Sequence, residues 1–132
     1  MLRCLIVDDN RRFLDAARGL LEREGVAVVG VASTSAEALH QVQELQPDVT
    51  LVDIDLGGES GFELVRQLAG RAPLRMILIS THAEQDYADL IATSPAIGFV
   101  SKSRLSAAAI RALLDRRGED EPGAAVSEPR GT

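Results

Sequence analysis

The sequence predicts an α/β protein: one five-stranded parallel β-sheet, doubly wound by five helices. Three observations predict it. Short runs rich in Ile, Leu and Val alternate with stretches whose apolar residues recur at helical spacing, the pattern of repeated strand–helix units. Runs such as Val26–Val31 are apolar nearly throughout, as suits strands covered on both faces. Acidic, hydroxyl and lysine residues follow directly on several runs, and open parallel sheets bind ligands beyond the carboxyl ends of their strands.

Leu2–Val7 is the first expected strand. A helix over Arg11–Arg23 follows, with Phe13, Leu14, Ala17, Leu20 and Leu21 on one face and Gly25 near its end. Val26–Val31 is the second strand. Thr34-Ser35-Ala36-Glu37 offers a capping box for a helix over Ser35–Leu45, which turns Ala38, Leu39, Val42 and Leu45 inward and stops at Pro47. Val49–Val52 is the third strand, and Ser60-Gly61 opens a helix carrying Phe62, Leu64, Val65 and Leu68 that Pro73 should break. Arg75–Ile79 is the fourth strand. A weaker helical pattern over Glu84–Ala92 places Tyr87, Leu90 and Ile91 inward. Ser94-Pro95 turns the chain into a short fifth strand, Ile97–Val100, and Ser106–Arg117 forms the last helix, with Ala109, Ile110, Leu113 and Leu114 along one stripe. Connections of this kind are right-handed, so helices cover both faces. Residues 1–117 are read as one domain. Residues 118–132 turn to Glu, Asp, Pro, Gly and Ser, a composition that cannot repay its ordering entropy, so a disordered acidic tail is expected there.

Composition narrows the function classes. A chain of 132 residues suits one closed core, and with 3% aromatics and no Trp that core must be aliphatic. A net charge of -6 argues against a nucleic-acid grip through this chain, which needs a basic face. Cys4, the single cysteine, sits in an apolar run as a small core residue and fits a reducing compartment. No apolar stretch is long enough to span a bilayer, and residues 1–7 lack the character of a secretory signal, so a cytoplasmic location is expected.

The stretch Leu51-Val52-Asp53-Ile54-Asp55-Leu56-Gly57-Gly58 organises the candidate site. Asp53 there is either a reactive carboxylate or simply a turn residue closing its strand. Asp8-Asp9, directly after Leu5-Ile6-Val7, repeats the placement and favours the first reading. Three carboxylates brought together repel, each close pair by about 4 kcal/mol at an effective dielectric near 20. A hard cation such as Mg2+ relieves that repulsion. Ser80 and Lys102 follow the fourth and fifth strands, a hydroxyl and an ammonium suited to the oxygens of a transferred phosphoryl group.

With Gly61 and the run Gly98-Phe99-Val100-Ser101-Lys102, these residues resemble the receiver domain of bacterial two-component response regulators. The resemblance covers roughly residues 2–115 and implies a flavodoxin-like sheet of order 2-1-3-4-5. It implies that Asp53 is the phosphoacceptor, taking the group from a sensor histidine kinase or phosphotransfer protein. Asp9 and Asp53 would ligate Mg2+ directly, Asp8 mainly through water, and Asp55 through its backbone carbonyl. Lys102 would pair with phosphoryl oxygens, Ser80 would swing in to hydrogen-bond them, and Phe99 would rotate inward, switching the binding of a downstream protein. Plain core packing is the other reading of Phe99. Asp55 and His82 would tune the lifetime of the phosphorylated state, or His82 is simply an exposed loop histidine.

Gly57 stands where the family often has proline, and Thr81 where it usually has Ala or Gly. Ser103 replaces a frequent proline, as in receivers that precede LuxR-type helix-turn-helix domains. The chain is then a stand-alone regulator or a receiver from a longer transcription factor, and a phosphorylation-dependent homodimer is a further expectation. The resemblance implies a self-acting phosphoacceptor rather than a turning-over enzyme. Two alternatives stand beside it: an Mg2+-dependent aspartyl-phosphate phosphatase or phosphotransferase, and a receiver-like binding module that is never phosphorylated.

Overall fold

A computed structural model describes residues 1–71 and 74–120. Five strands, β1 (Arg3–Val7), β2 (Ala27–Ala32), β3 (Val49–Asp53), β4 (Met76–Ser80) and β5 (Gly98–Ser101), pair in parallel in the order β2-β1-β3-β4-β5. This is the expected doubly wound order. Helices α1 (Arg11–Arg23), α2 (Ser35–Leu45), α3 (Gly61–Ala69), α4 (Ala88–Thr93) and α5 (Ala107–Asp120) cover it.

Alternation along the strands splits the core into two layers. Cys4 and Ile6 of β1 face Leu14, Ala17 and Leu21 of α1 and Ile110 and Leu114 of α5. Leu5 and Val7 face the opposite way, onto Ala38 and Val42 of α2 and Phe62, Leu64, Val65 and Leu68 of α3. Every residue of β3 and β4 is buried, which explains why their sequences show no polar face. Cys4 is among these core residues, and burial pushes its thiol up to about 12, so it remains an unionised apolar filler.

Local chemistry explains the helix starts. Asn10, Thr34 and Ser60 each accept the N–H three residues on, from Phe13, Glu37 and Glu63. Glu37 does not complete the expected capping box. Its carboxylate reaches one residue further, to the Ser33 N–H (2.8 Å) and hydroxyl (3.0 Å), and these bonds hold its pKa below the ordinary carboxylate value. At the far end of α2, Gln46 adopts φ 47° and the Arg3 guanidinium caps the Leu45 and Gln46 carbonyls, both at 2.8 Å.

The differences from expectation are specific. β2 runs one residue later than Val26–Val31, because the Val26 N–H closes α1 by donating to the Leu21 carbonyl (2.9 Å). β4 and β5 extend through Ser80 and Ser101, which pair with each other. The expected helix over Glu84–Ala92 is a 3-10 turn, Glu84–Tyr87, followed by the short α4. The tighter turn changes the phase of the face, so Tyr87 and Ile91 pack on the α2–α3 layer while Leu90 is 51% exposed rather than inward. α3 ends at Ala69 with Gly70 beyond it, and α5 continues past Arg117 to Asp120. Pro73 and residues 121–132, which include most of the expected tail, lie outside the described residues. No helix among the described residues is long and apolar enough to cross a membrane.

Candidate functional site

The strands in register bring their carboxyl ends to one edge: Val7 lies opposite Val52, Asp53 opposite Ile79, and Ser80 opposite Ser101. Asp8, just past β1, is fully buried, Asp53 is 6% exposed, and Asp9 is exposed beside them. One carboxylate oxygen from each lies within 4.8 Å of the others. Lys102 reaches into this cluster from the end of β5.

Each buried acid divides its work between its two oxygens. Asp8 Oδ1 accepts the Asn10 N–H (2.8 Å), and Asp53 Oδ1 accepts the Asp55 N–H (3.2 Å). Both bonds close turns, so the turn-residue reading of Asp53 is correct for that atom. The other oxygens face the ammonium: Lys102 Nζ is 2.6 Å from Asp8 Oδ2 and 3.2 Å from Asp53 Oδ2. One positive charge cannot neutralise three carboxylates. Burial first, and then the charge of Asp8, push the Asp53 pKa up to about 6 against the opposing pull of Lys102. Burial lowers the Lys102 pKa, but the close contact with Asp8 and the charges of Asp53 and Asp8 outweigh it, leaving a net rise.

The loop after β3 is shaped around the same cluster. Gly61 N–H bonds to the Ile54 carbonyl (2.8 Å) and Leu56 N–H to the Glu59 carbonyl (2.9 Å), making the small bridge between Asp55 and Ser60. The Asp55 carbonyl lies between these two bonds and is used by neither. A Cβ on Gly61 would collide with the backbone carbonyl of Asp53, so only glycine lets α3 start there. Gly57 has φ 62°, and a Cβ on it would come 2.6 Å from Asp9 Oδ2.

Other expected residues are placed less directly. Ser80 is 4% exposed at the end of β4, but its hydroxyl accepts the His82 N–H (3.0 Å) and lies 3.4 Å from His82 Nδ1. It makes no hydrogen bond to Asp53 or Lys102 among the described residues. His82 itself is exposed, with its ring edge-on to Tyr87 at 5.9 Å. Phe99 is half-buried, paired with Leu78 and packed against the α2–α3 layer. The exposed Asp55 side chain accepts the Gly57 N–H at 3.2 Å.

Two neighbours escaped the sequence reading. Phe13, assigned to the core stripe of α1, lies with its ring under Lys102 Nζ, 4.5 Å from the centroid. Its position in the first turn of α1, just past the acidic pair, was the available signal. Glu59 accepts the Ser35 N–H at 2.9 Å and so ties the loop after β3 to the start of α2. Nothing in a lone loop glutamate announces that.

The arrangement fits a hard divalent cation. It has three convergent carboxylate oxygens, and the buried Asp8 Oδ2 meets the ammonium as a charge contact while accepting no hydrogen bond among the described residues.

Comparison with known proteins agrees with the fold. Residues 4–115 match the family described as Response regulator receiver domain. The chain is 37% identical over 111 residues to the transcriptional activator protein ExaE of Pseudomonas putida, covering 83% of this chain and 52% of that protein. It is 30% identical over 115 residues to the response regulator GacA of Pseudomonas viridiflava, covering 86% and 54%. The chain thus spans about half the length of these relatives. Among solved structures, a CheY-like response regulator receiver domain protein from Methanospirillum hungatei superposes with a TM-score of 0.75 at 25% identity, covering 90% of this chain and 95% of that one. A response regulator protein from Burkholderia pseudomallei, with a phosphorylated aspartic acid, calcium ion and citrate, gives 0.77 at 26% identity, covering 98% and 76%.

Proposed function

The chain belongs to the response regulator receiver domain family of two-component signalling, whose members are phosphorylated on an aspartate, and from that premise we propose that Asp53 is the phosphoacceptor. The observation that carries the assignment is the Lys102 ammonium held against both Asp53 and Asp8 at the carboxyl edge of the sheet. In the transfer, an Asp53 carboxylate oxygen attacks phosphorus. The oxygen–phosphorus bond forms as the bond to the donor breaks, and the donor leaves with the electron pair. Receivers generally bind Mg2+ through acidic residues; here Asp8, Asp9, Asp53 and the Asp55 carbonyl would hold it, and it would supply charge neutralisation for the phosphoryl oxygens. The Burkholderia relative, with its phosphorylated aspartic acid and calcium ion, supports that combination.

Lys102 orients the phosphoryl group with its ammonium, a compact point charge for the phosphoryl oxygens. Burial of Asp8 and Asp53 excludes water and strengthens each of these interactions. Ser80 would leave His82 to bond the new oxygens, and Phe99 would then pack fully inward. Asp55 and His82, at the rim of the site, would set the lifetime of the acyl phosphate.

The donor in this reading is a sensor histidine kinase or phosphotransfer protein, and the output is a changed affinity for a downstream protein, with a phosphorylation-dependent homodimer as one form of it. The similarity to transcriptional regulators, together with Ser103, supports kinship with receivers that precede LuxR-type helix-turn-helix domains. Residues 1–117 would form the receiver unit and 118–132 a tail outside it, and the protein would act in the cytoplasm. The chain would act as a self-phosphorylating acceptor, with no turnover of an external substrate.

Mass spectrometry after incubation with acetyl phosphate and Mg2+ tests the assignment. One added phosphoryl group in the wild type and none in Asp53→Asn is expected. Equal labelling of both would sink it, and so would multiple turnover of the phosphodonor without labelling.

A further inference from the structure

We propose that Phe13 is a positioning residue for phosphoryl transfer, its ring face holding the Lys102 ammonium in place while the negative charge in front of it is rearranged. The inference rests on Asp53 being the phosphoacceptor. Lys102 carries a four-carbon stem, and fixing its head at one point costs rotamer freedom that something must offset. Three groups surround that head: Asp8 Oδ2 at 2.6 Å, Asp53 Oδ2 at 3.2 Å, and the Phe13 ring with its centroid at 4.5 Å. The lysine side chain is only 12% exposed, so the ring acts on a largely desolvated cation, where the attraction to an aromatic face is strongest.

The three partners differ in what the reaction does to them. Phosphorylation turns an Asp53 oxygen into an ester oxygen and places new anionic oxygens beyond it. A cation drawn to Asp8 and Asp53 alone would lose part of its anchorage at the moment it must act. The aromatic face keeps the same charge distribution before and after, so it holds the ammonium through the change.

The position is rigidly built. The Phe13 backbone N–H donates to the Asn10 side chain (3.2 Å), while the Asn10 N–H donates to Asp8 (2.8 Å), so one short turn fixes both the ring and the acid it complements. The ring also packs on the α1–α5 layer of the core. Phe13→Leu retains apolar packing there but has no π face.

The test compares wild type, Phe13→Leu, Phe13→Ile and Phe13→Tyr for the rate of labelling by acetyl phosphate at saturating Mg2+. Thermal midpoints check folding, and Lys102 Cε proton shifts are read by NMR. The aliphatic variants are expected to react about 3- to 10-fold more slowly and to lose an upfield ring-current shift at Lys102, whereas Phe13→Tyr stays near wild type on both. In a Lys102→Ala background, Phe13→Leu should have no further effect on the rate, because the ring acts through the lysine. Aliphatic variants that fold and react at the wild-type rate, or an unchanged loss from Phe13→Leu in the Lys102→Ala background, would overturn the role of Phe13 alone. A wild type that takes no phosphoryl group, or takes it equally in Asp53→Asn, overturns the site assignment and this inference with it.

Discussion

The buried Asp53 carboxylate, beside Asp8 at the sheet edge, is under electrostatic tension. Its folded pKa of about 6 lies above the ordinary 3.8, so ionisation opposes folding. The stabilising contribution of the protonated form is complete below about pH 4 and is lost as pH rises through about 6. In EDTA, Asp53→Asn should therefore be more stable than wild type at pH 7.5, by about 1–2 kcal/mol after allowing for screening at a strand end, and the gap should close towards pH 4.5. Chemical denaturation at the two pH values measures it; a gap that does not depend on pH would show that the cluster carries no such strain. Two glycines form a second contrast. A Cβ at Gly61 meets the backbone of Asp53, which cannot yield, whereas one at Gly98 meets the movable side-chain end of Leu113. Gly61→Ala should cost about 1–3 kcal/mol and Gly98→Ala less.

At the level of elements, the sheet and its helices are unequally anchored. Five residues of α3 are buried, including Phe62, Leu64 and Leu68, while no residue of α4 is. The 3-10 turn ahead of α4 holds Tyr87, which touches both Phe62 (6.1 Å) and His82 (5.9 Å) and so links this loosely held segment to the end of β4. Amides of Ala88–Thr93 should exchange with solvent well before those of α3, because opening α4 exposes little apolar surface. Protection equal to that of α3 would mean that contacts beyond those of the isolated chain secure it. The loop after β3 behaves differently. Its Gly57 and Gly58 have positive φ, yet Glu59 ties it to the start of α2. Glu59→Ala should release that loop, seen as faster exchange at Leu56 and Gly61, with a stability loss under about 1 kcal/mol.

For the molecule as a whole, a net charge of -6 and a knot of three acids at one edge would make the proposed cation binding a global stabiliser. A ligand that binds the folded state alone raises stability by about 2.7 kcal/mol at a hundredfold excess over its Kd. Mg2+ should thus raise the Tm of wild type, and Asp9→Asn should blunt the rise while leaving the metal-free Tm nearly unchanged, since Asp9 is exposed. Scanning calorimetry with and without Mg2+ decides it; equal shifts in both proteins would remove Asp9 from the ligand set.

The sequence by itself determined the alternation of strands and helices, the aliphatic two-layer core, and the acids, hydroxyl and lysine that follow strand ends. Those features are written in local periodicity and in residues adjacent along the chain. It misjudged α4, where a 3-10 turn shifted the face and turned Leu90 outward, because a weak short pattern does not specify its own phase. Only the tertiary structure decided that Lys102 meets Asp53 across 49 residues of chain, that Phe13 lies beneath that ammonium, and that Ser80 bonds His82. Such pairings depend on strand register and loop path, which long-range packing sets, and no window of neighbouring residues contains them.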